Sequence, residues 1–187
     1  MEAILNFDFS VLDFLYNART PFFNKFFELV THLGDGGIFW IAIAVVLLFF
    51  KKTRKTGLIM GIALLFGLIS CNLILKPGIA RIRPYALMAE QGRTIDILLS
   101  KYPGDHSFPS GHTVGSFEGA VAIFTQNKKW GAAALVTAVL VAFSRLYLYV
   151  HYPTDVIAGI ILGTLNAVLA LLIVNAIWKK FVKKEEL

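Results

Sequence analysis

The sequence predicts an all-α integral membrane bundle of five to six spans with amphipathic helices at its N-terminus. Three observations predict it. Of 187 residues, 57% are hydrophobic, and the mean hydropathy is +0.68. That is more apolar than a soluble domain of this length. The apolar residues gather in runs close to the roughly 20 residues that cross a bilayer as a helix. The cations sit in short loops between those runs, so the net charge of +6 fits membrane topology better than a nucleic-acid surface. The reading is one domain over 1–187: an amphipathic segment over 1–35, a transmembrane core over 36–178 and a basic tail over 179–187. Cys71 lies inside an apolar run, which excludes a disulfide framework and reads as a small buried side chain. The N-terminus has no basic region followed by a small-residue cleavage site, so no signal peptide is expected.

Each element follows from local pattern. Phe9 to Tyr16 reads as one amphipathic helix. Thr20 is a candidate N-cap with Pro21 at the first helical position. Phe22, Phe23, Phe26, Phe27 and Val30 then form an apolar stripe that suits a helix in the membrane interface. An alternative is that these two segments pair into a further, partly inserted helix. Five spans follow, near Gly36–Phe50, Gly57–Leu75, Ser110–Gln126, Gly131–Tyr149 and Asp155–Trp178. The pairs Gly57/Gly61, Gly115/Gly119 and Gly159/Gly163 have the small-xxx-small spacing that lets helices approach closely, with packing inside the bundle as the default.

Loop charge sets the orientation. Lys51, Lys52, Arg54 and Lys55 follow the first span, Lys128 and Lys129 the third, and Lys179, Lys180, Lys183 and Lys184 the fifth. With five spans these groups share one side, expected to be cytoplasmic, together with the C-terminus. The loop over 76–108 and the turn over 145–155 then face the extracytoplasmic side of the plasma membrane.

Three polar clusters stand on that face. The first runs from Lys76 through Arg81 and Arg83 to Pro84, the second is Pro109-Ser110-Gly111-His112, and the third is Ser144-Arg145 with His151 and Asp155. Arginine offers a planar fork to phosphate oxygens and lysine a point charge. Ser110 is a candidate N-cap, and a helix start at Gly111 presents free N–H groups to an anion beside His112. Pro153 suits the first position of the last span, which puts Asp155 in its first turn. From there Asp155 can accept the Nδ1 proton of His151 and leave Nε2 free as a nucleophile. Two histidines can also bind a metal, but the surrounding cations would repel one, so no metal or other cofactor is expected.

Taken together, Lys76-x6-Arg83-Pro84, the Pro-Ser-Gly-His run and Ser144-Arg145-x5-His151-x3-Asp155 resemble the three-part signature of the type 2 phosphatidic acid phosphatases, a family that includes the vanadium haloperoxidases. The resemblance implies a metal-independent membrane enzyme working through a phosphohistidine. It makes His151 the nucleophile, Asp155 its orienting partner and His112 the general acid and base. Lys76, Arg83, Arg145, Ser110 and Gly111 would hold the phosphoryl oxygens. Arg81 lies outside the minimal signature and would bind a second phosphate or face headgroups. The implied partner is a lipid phosphate or diphosphate in the bilayer, undecaprenyl diphosphate first, with phosphatidylglycerophosphate or phosphatidate as alternatives and no obligate protein partner. An anion transporter is the rival from another class. Its sites would lie near the bilayer midplane, whereas these cations lie at span ends. Glu118 has no place in the signature. It reads as a buried helix-to-helix hydrogen bond, with Asn72 or Ser144 as candidate partners.

Overall fold

The computed structural model describes residues 2–185, with side chains through Trp178. The basic tail expected over 179–187 therefore falls outside the described side chains. The described residues form α1 (Glu2–Asn17), α2 (Pro21–Thr31), a 3-10 turn (His32–Gly37), α3 (Ile38–Phe49) and α4 (Arg54–Gly67). A π-helical stretch (Leu68–Leu75) leads into the short α5 (Lys76–Ile79) and α6 (Pro84–Glu90). Then come α7 (Gly111–Gln126), α8 (Lys128–Tyr147) and α9 (Pro153–Glu185). No strand occurs among the described residues.

The expected spans correspond to α3, α4 with its π-helical continuation, α7, α8 and α9. Four stretches are long and apolar enough to cross a membrane: Pro21–Phe49, Arg54–Glu90, Lys128–Tyr147 and Pro153–Trp178. The first joins α2 to α3 across the 3-10 turn. Helix α7 has 16 residues and carries Thr113, Ser116 and Glu118 buried. It tolerates them because protein surrounds it: α4, α8 and α9 all pack on it.

Small residues make that packing close. Ala120, Ala122, Ala138, Ala142, Ala167 and Ala170 fill the seams between helices. A Cβ at Gly119 would stand 2.3 Å from the ring of Trp40, and one at Gly163 would stand 2.5 Å from the Val114 carbonyl oxygen. These glycines serve the bundle itself. Large apolar side chains such as Val46, Phe49, Leu73, Leu165 and Leu172 point outward, as a lipid-facing belt requires.

A second core caps one end of the bundle. Leu12 from α1, Met88 from α6, Ile95 and Ile97 from the long loop, and Leu148 to Val150 from the α8–α9 turn pack together. Helix α1 is thus more than an interfacial float, since it docks Leu12 and Asp8 into protein. In α2 the apolar stripe divides. Phe22 and Phe26 stay exposed, while Phe27 packs on Phe143 and Tyr147 of α8. Thr20 caps α2 as expected, its hydroxyl accepting from the Phe23 amide at 3.4 Å.

Glu118 is paired, but with neither expected partner. Its Oε1 accepts from Asn166 Nδ2 of α9 at 2.8 Å, and Asn166 also donates to Ser70 Oγ at 3.2 Å. Gly67 makes the room, since a Cβ there would lie 2.3 Å from the carboxylate. Periodicity orients a side chain on its own helix but does not fix which neighbour it meets. Glu118→Gln is expected to keep near-normal turnover. Glu118→Leu is expected to lose about 1–3 kcal/mol of stability, because it strands the Asn166 amide. Thermal melts and initial rates on both variants check this. A Glu118→Gln protein that is folded but as inactive as His112→Ala would place Glu118 in the chemistry.

Candidate active site

The capped end holds a polar cavity of about 440 Å³. The ends of several elements and the loop over 99–105 supply its walls. The π-helical stretch ends at Lys76, so the wider turn delivers that lysine to the cavity rim. Pro84 starts α6 and holds Arg83 in extended backbone just before it. Gly111 and His112 open α7, and Arg145 closes α8. His151 sits in the tight turn before Pro153 starts α9. Lys76, Arg83, Gly111, His112, Arg145 and His151 all line the cavity.

His151 is buried, and its ring has two different neighbours. Arg83 Nη1 lies 3.1 Å from Nε2 and also donates to the Val150 carbonyl at 2.8 Å. A guanidinium only donates, so Nε2 must accept, and a neutral imidazole then carries its proton on Nδ1. That nitrogen faces Ser107 Oγ and Asp155 Oδ2, each at 3.5 Å. Ser107 donates to the same Asp155 oxygen at 2.5 Å and stands between the pair. Burial first, then the charges of Arg83 and Arg145, push His151 well below the ordinary histidine value. It is a neutral base among cations.

Asp155 is fully buried and well supplied with donors. The Tyr152 amide donates to Oδ2 at 3.0 Å, and Arg81 Nη1 donates to Oδ1 at 2.6 Å. Arg81 also binds Asp8 of α1 at 2.7 Å and Thr154 at 2.7 Å, and its guanidinium lies 3.8 Å over the Tyr152 ring. This corrects the reading of Arg81. Nη1 and Nη2 are engaged behind the histidine, and Arg81 is not among the residues that line the cavity.

Ser110 also differs from expectation. It precedes α7 but makes no side-chain cap. Its hydroxyl accepts from Thr113 at 2.9 Å, and its fully buried side chain does not reach the cavity wall. Gly111 does reach the wall.

Three carboxylates complete the site, and motif reading did not find them. Asp105 accepts from Lys76 Nζ and from Arg83 Nη2, the latter at 2.6 Å, while its own carbonyl accepts from Arg83 Nε at 2.8 Å. Burial works to raise the Asp105 carboxyl, but Lys76 and Arg83 outweigh it and hold it well below the ordinary range. Asp35 meets His112, and Asp8 meets Arg81. Asp8 left one signal, a carboxylate set directly between Phe7 and Phe9. Arg145 is different from the other cations. It donates to Thr31 Oγ1, its buried Nε has no acceptor, and no carboxylate pairs with it among the described residues. A buried guanidinium in that state calls for an anion in the cavity.

An apolar groove of about 700 Å³ adjoins this cavity, between α3, α4 and α7, and shares Lys76, Asp105, Gly111 and His112 with it. Ile41, Val45, Leu48, Leu64, Leu65 and Leu68 line its length. A polar head in the cavity would continue into an apolar body in the groove.

The fold and this end cavity define a helical membrane protein that gathers buried cations and two imidazoles at one end of its bundle. The model of the PAP2 superfamily matches residues 55–179, and the chain belongs to that family. Over 126 residues it is 36% identical to an undecaprenyl-diphosphatase of Sulfolobus acidocaldarius, covering 67% of this chain and 58% of that protein. It is 33% identical over 162 residues to phosphatidylglycerophosphatase B of Bacillus subtilis, covering 79% of this chain and 73% of that one. The solved structure of a PAP2-type phosphatidylglycerolphosphate phosphatase from Bacillus subtilis superposes with a TM-score of 0.72 at 27% identity, covering 96% and 88% of the two chains.

Proposed function

We propose that this protein is a membrane lipid phosphatase that works through a phosphohistidine, with undecaprenyl diphosphate as its first substrate. The observation that carries the reading is the neutral, buried His151 whose Nε2 faces a cavity lined by Lys76, Arg83 and Arg145. Nε2 attacks the terminal phosphorus, the bond to the leaving oxygen breaks (the bridging oxygen in a diphosphate, the ester oxygen in a monophosphate), and His112 gives that oxygen a proton. Water then attacks the phosphohistidine, the phosphorus–nitrogen bond breaks, His112 takes the proton and inorganic phosphate leaves. The three cations and the Gly111 end of α7 stabilise the charge on the transferring group. Those same cations oppose a divalent ion, which supports a metal-independent reaction.

The apolar groove supports a lipid rather than a soluble phosphate ester. The name of the Sulfolobus relative supports the diphosphate, and the name of the Bacillus relative supports phosphatidylglycerophosphate as the alternative. Phosphate release from purified undecaprenyl diphosphate, phosphatidylglycerophosphate and phosphatidate, in detergent with EDTA present, tests the reading. The expected result is metal-free release, highest kcat/KM on the diphosphate, and inhibition by vanadate. No release from any lipid, or strict dependence on added Mg²⁺, overturns it.

We place the cavity on the extracytoplasmic side. The basic loops before α4 and α8 lie at the opposite end of the bundle and support this by the positive-inside bias. Cysteines introduced at Gln91 and in the C-terminal tail are expected to label from opposite faces of intact cells, Cys71 being buried. Labelling of both from one face would reverse the assignment.

A further inference from the structure

We propose that Asp35 is the positioning partner of His112, making a second histidine–carboxylate pair in which the imidazole nitrogens exchange the roles they have in His151. This rests on the phosphatase reading above. His112 Nε2 lies 2.9 Å from Asp35 Oδ1. The other carboxylate oxygen is held by His32 Nδ1 at 2.7 Å, so Asp35 is fixed from both sides.

The turn that carries Asp35 is shaped around the ring. A Cβ at Gly34 would stand 2.5 Å from His112 Cδ2, so only glycine lets the imidazole lie against that backbone. Gly36 and Gly37 follow with φ of 56° and 68°, the left-handed conformations that turn the chain from Asp35 into α3. The Gly34 backbone thus packs against the same ring that Asp35 holds, and the two left-handed glycines set the path of the turn beyond it.

The chemistry explains why such a partner is needed. A general acid must carry a proton when the lipid oxygen departs. Lys76 and Arg145 line the same cavity and oppose a positive imidazole. Asp35 is the carboxylate that offsets them at hydrogen-bond distance. With Nε2–H donated to Asp35, Nδ1 is the nitrogen that exchanges a proton with the substrate. In His151 the order is reversed, Nδ1 being held and Nε2 reacting.

The consequence depends on the leaving group. A lipid diphosphate expels a phosphate monoester, which carries negative charge with little help. A lipid monophosphate such as phosphatidate expels an alkoxide, which needs the proton as it leaves. Asp35→Asn keeps an oxygen to accept from Nε2–H but removes the charge.

The test is kcat/KM, which reports steps through formation of the phosphohistidine, for Asp35→Asn on undecaprenyl diphosphate and on phosphatidate. The expected loss is about 100-fold on phosphatidate, the lower end of a general-acid contribution, and under about tenfold on the diphosphate. Equal losses on both, or no loss on either, overturn the proposal. A second measurement decides the matter even if the wild type turns over only one of the two lipids. Adding Asp35→Asn to His112→Ala is expected to cost less than about threefold further, because the two act as one unit. A large additional loss would show that Asp35 acts elsewhere. Absence of wild-type activity on every lipid would instead refute the phosphatase reading, which is a separate outcome.

Discussion

His151→Ala is expected to abolish phosphate release, by a factor of about 10⁴ or more. The group beside Nε2 is the Arg83 guanidinium, which cannot act as a nucleophile in its place. The side chain is buried, so its truncation leaves a small cavity and some loss of stability, but Arg83 keeps its bonds to Asp105 and to the Val150 carbonyl. Initial rates together with a thermal melt separate inactivity from unfolding. A folded His151→Ala protein with about a tenth of wild-type activity would rule out a phosphohistidine at this position. The depressed value of His151 also has a pH signature. The ring stays neutral and nucleophilic below about pH 6.5, so the acid limb of kcat/KM that belongs to it falls below that point. The linked stability has the same sign. It is present in full above about 6.5 and is lost as pH falls toward the folded-state value, because the unfolded chain takes up the proton first.

Asp155→Asn is expected to cost on the order of 10³ to 10⁴ in kcat/KM with the bundle intact. The carboxylate holds Ser107 and sits beside Nδ1, so it fixes the tautomer that leaves Nε2 free. In the proposed reaction it also balances the positive charge that His151 acquires when it bonds to phosphorus. The amide variant keeps the shape and loses the charge. Folding survives because Asp8 continues to neutralise Arg81. Ser107→Ala leaves the carboxylate in place and is expected to cost much less. A folded Asp155→Asn protein within about tenfold of wild type would transfer the orienting role to Ser107.

The parts of this molecule that were legible in sequence are those written in short range. Runs of apolar residues marked α3, α4, α8 and α9, and proline with threonine marked the starts of α2 and α9. Lys76, Arg83, Gly111, His112, Arg145 and His151 were legible because each sits at a helix end, and helix ends at one end of a bundle converge. Their partners were not. Asp35 meets His112 across 77 positions and Asp8 meets Arg81 across 73, and nothing local encodes such pairings. Arg81 shows the cost of that blindness. A third cation close to Lys76 and Arg83 looks like a phosphate ligand until the carboxylate from α1 is seen. Ser110 shows a related limit: it stands just before α7 as expected, but its hydroxyl meets Thr113, and Gly111 and His112 are the residues there that line the cavity.

Asp105 gives the site a property that its cations alone would not have. Lys76 and Arg83 already hold a carboxylate, so neither is a bare charge waiting in an apolar surround. In the proposed reaction an arriving phosphoryl group would exchange with this tethered counter-ion, gaining the difference between two anions rather than the whole attraction of the pair. The same exchange runs backward when inorganic phosphate departs, with Asp105 still attached to the loop beside its cations. On that reaction, a cavity built this way would release its product rather than fill with it.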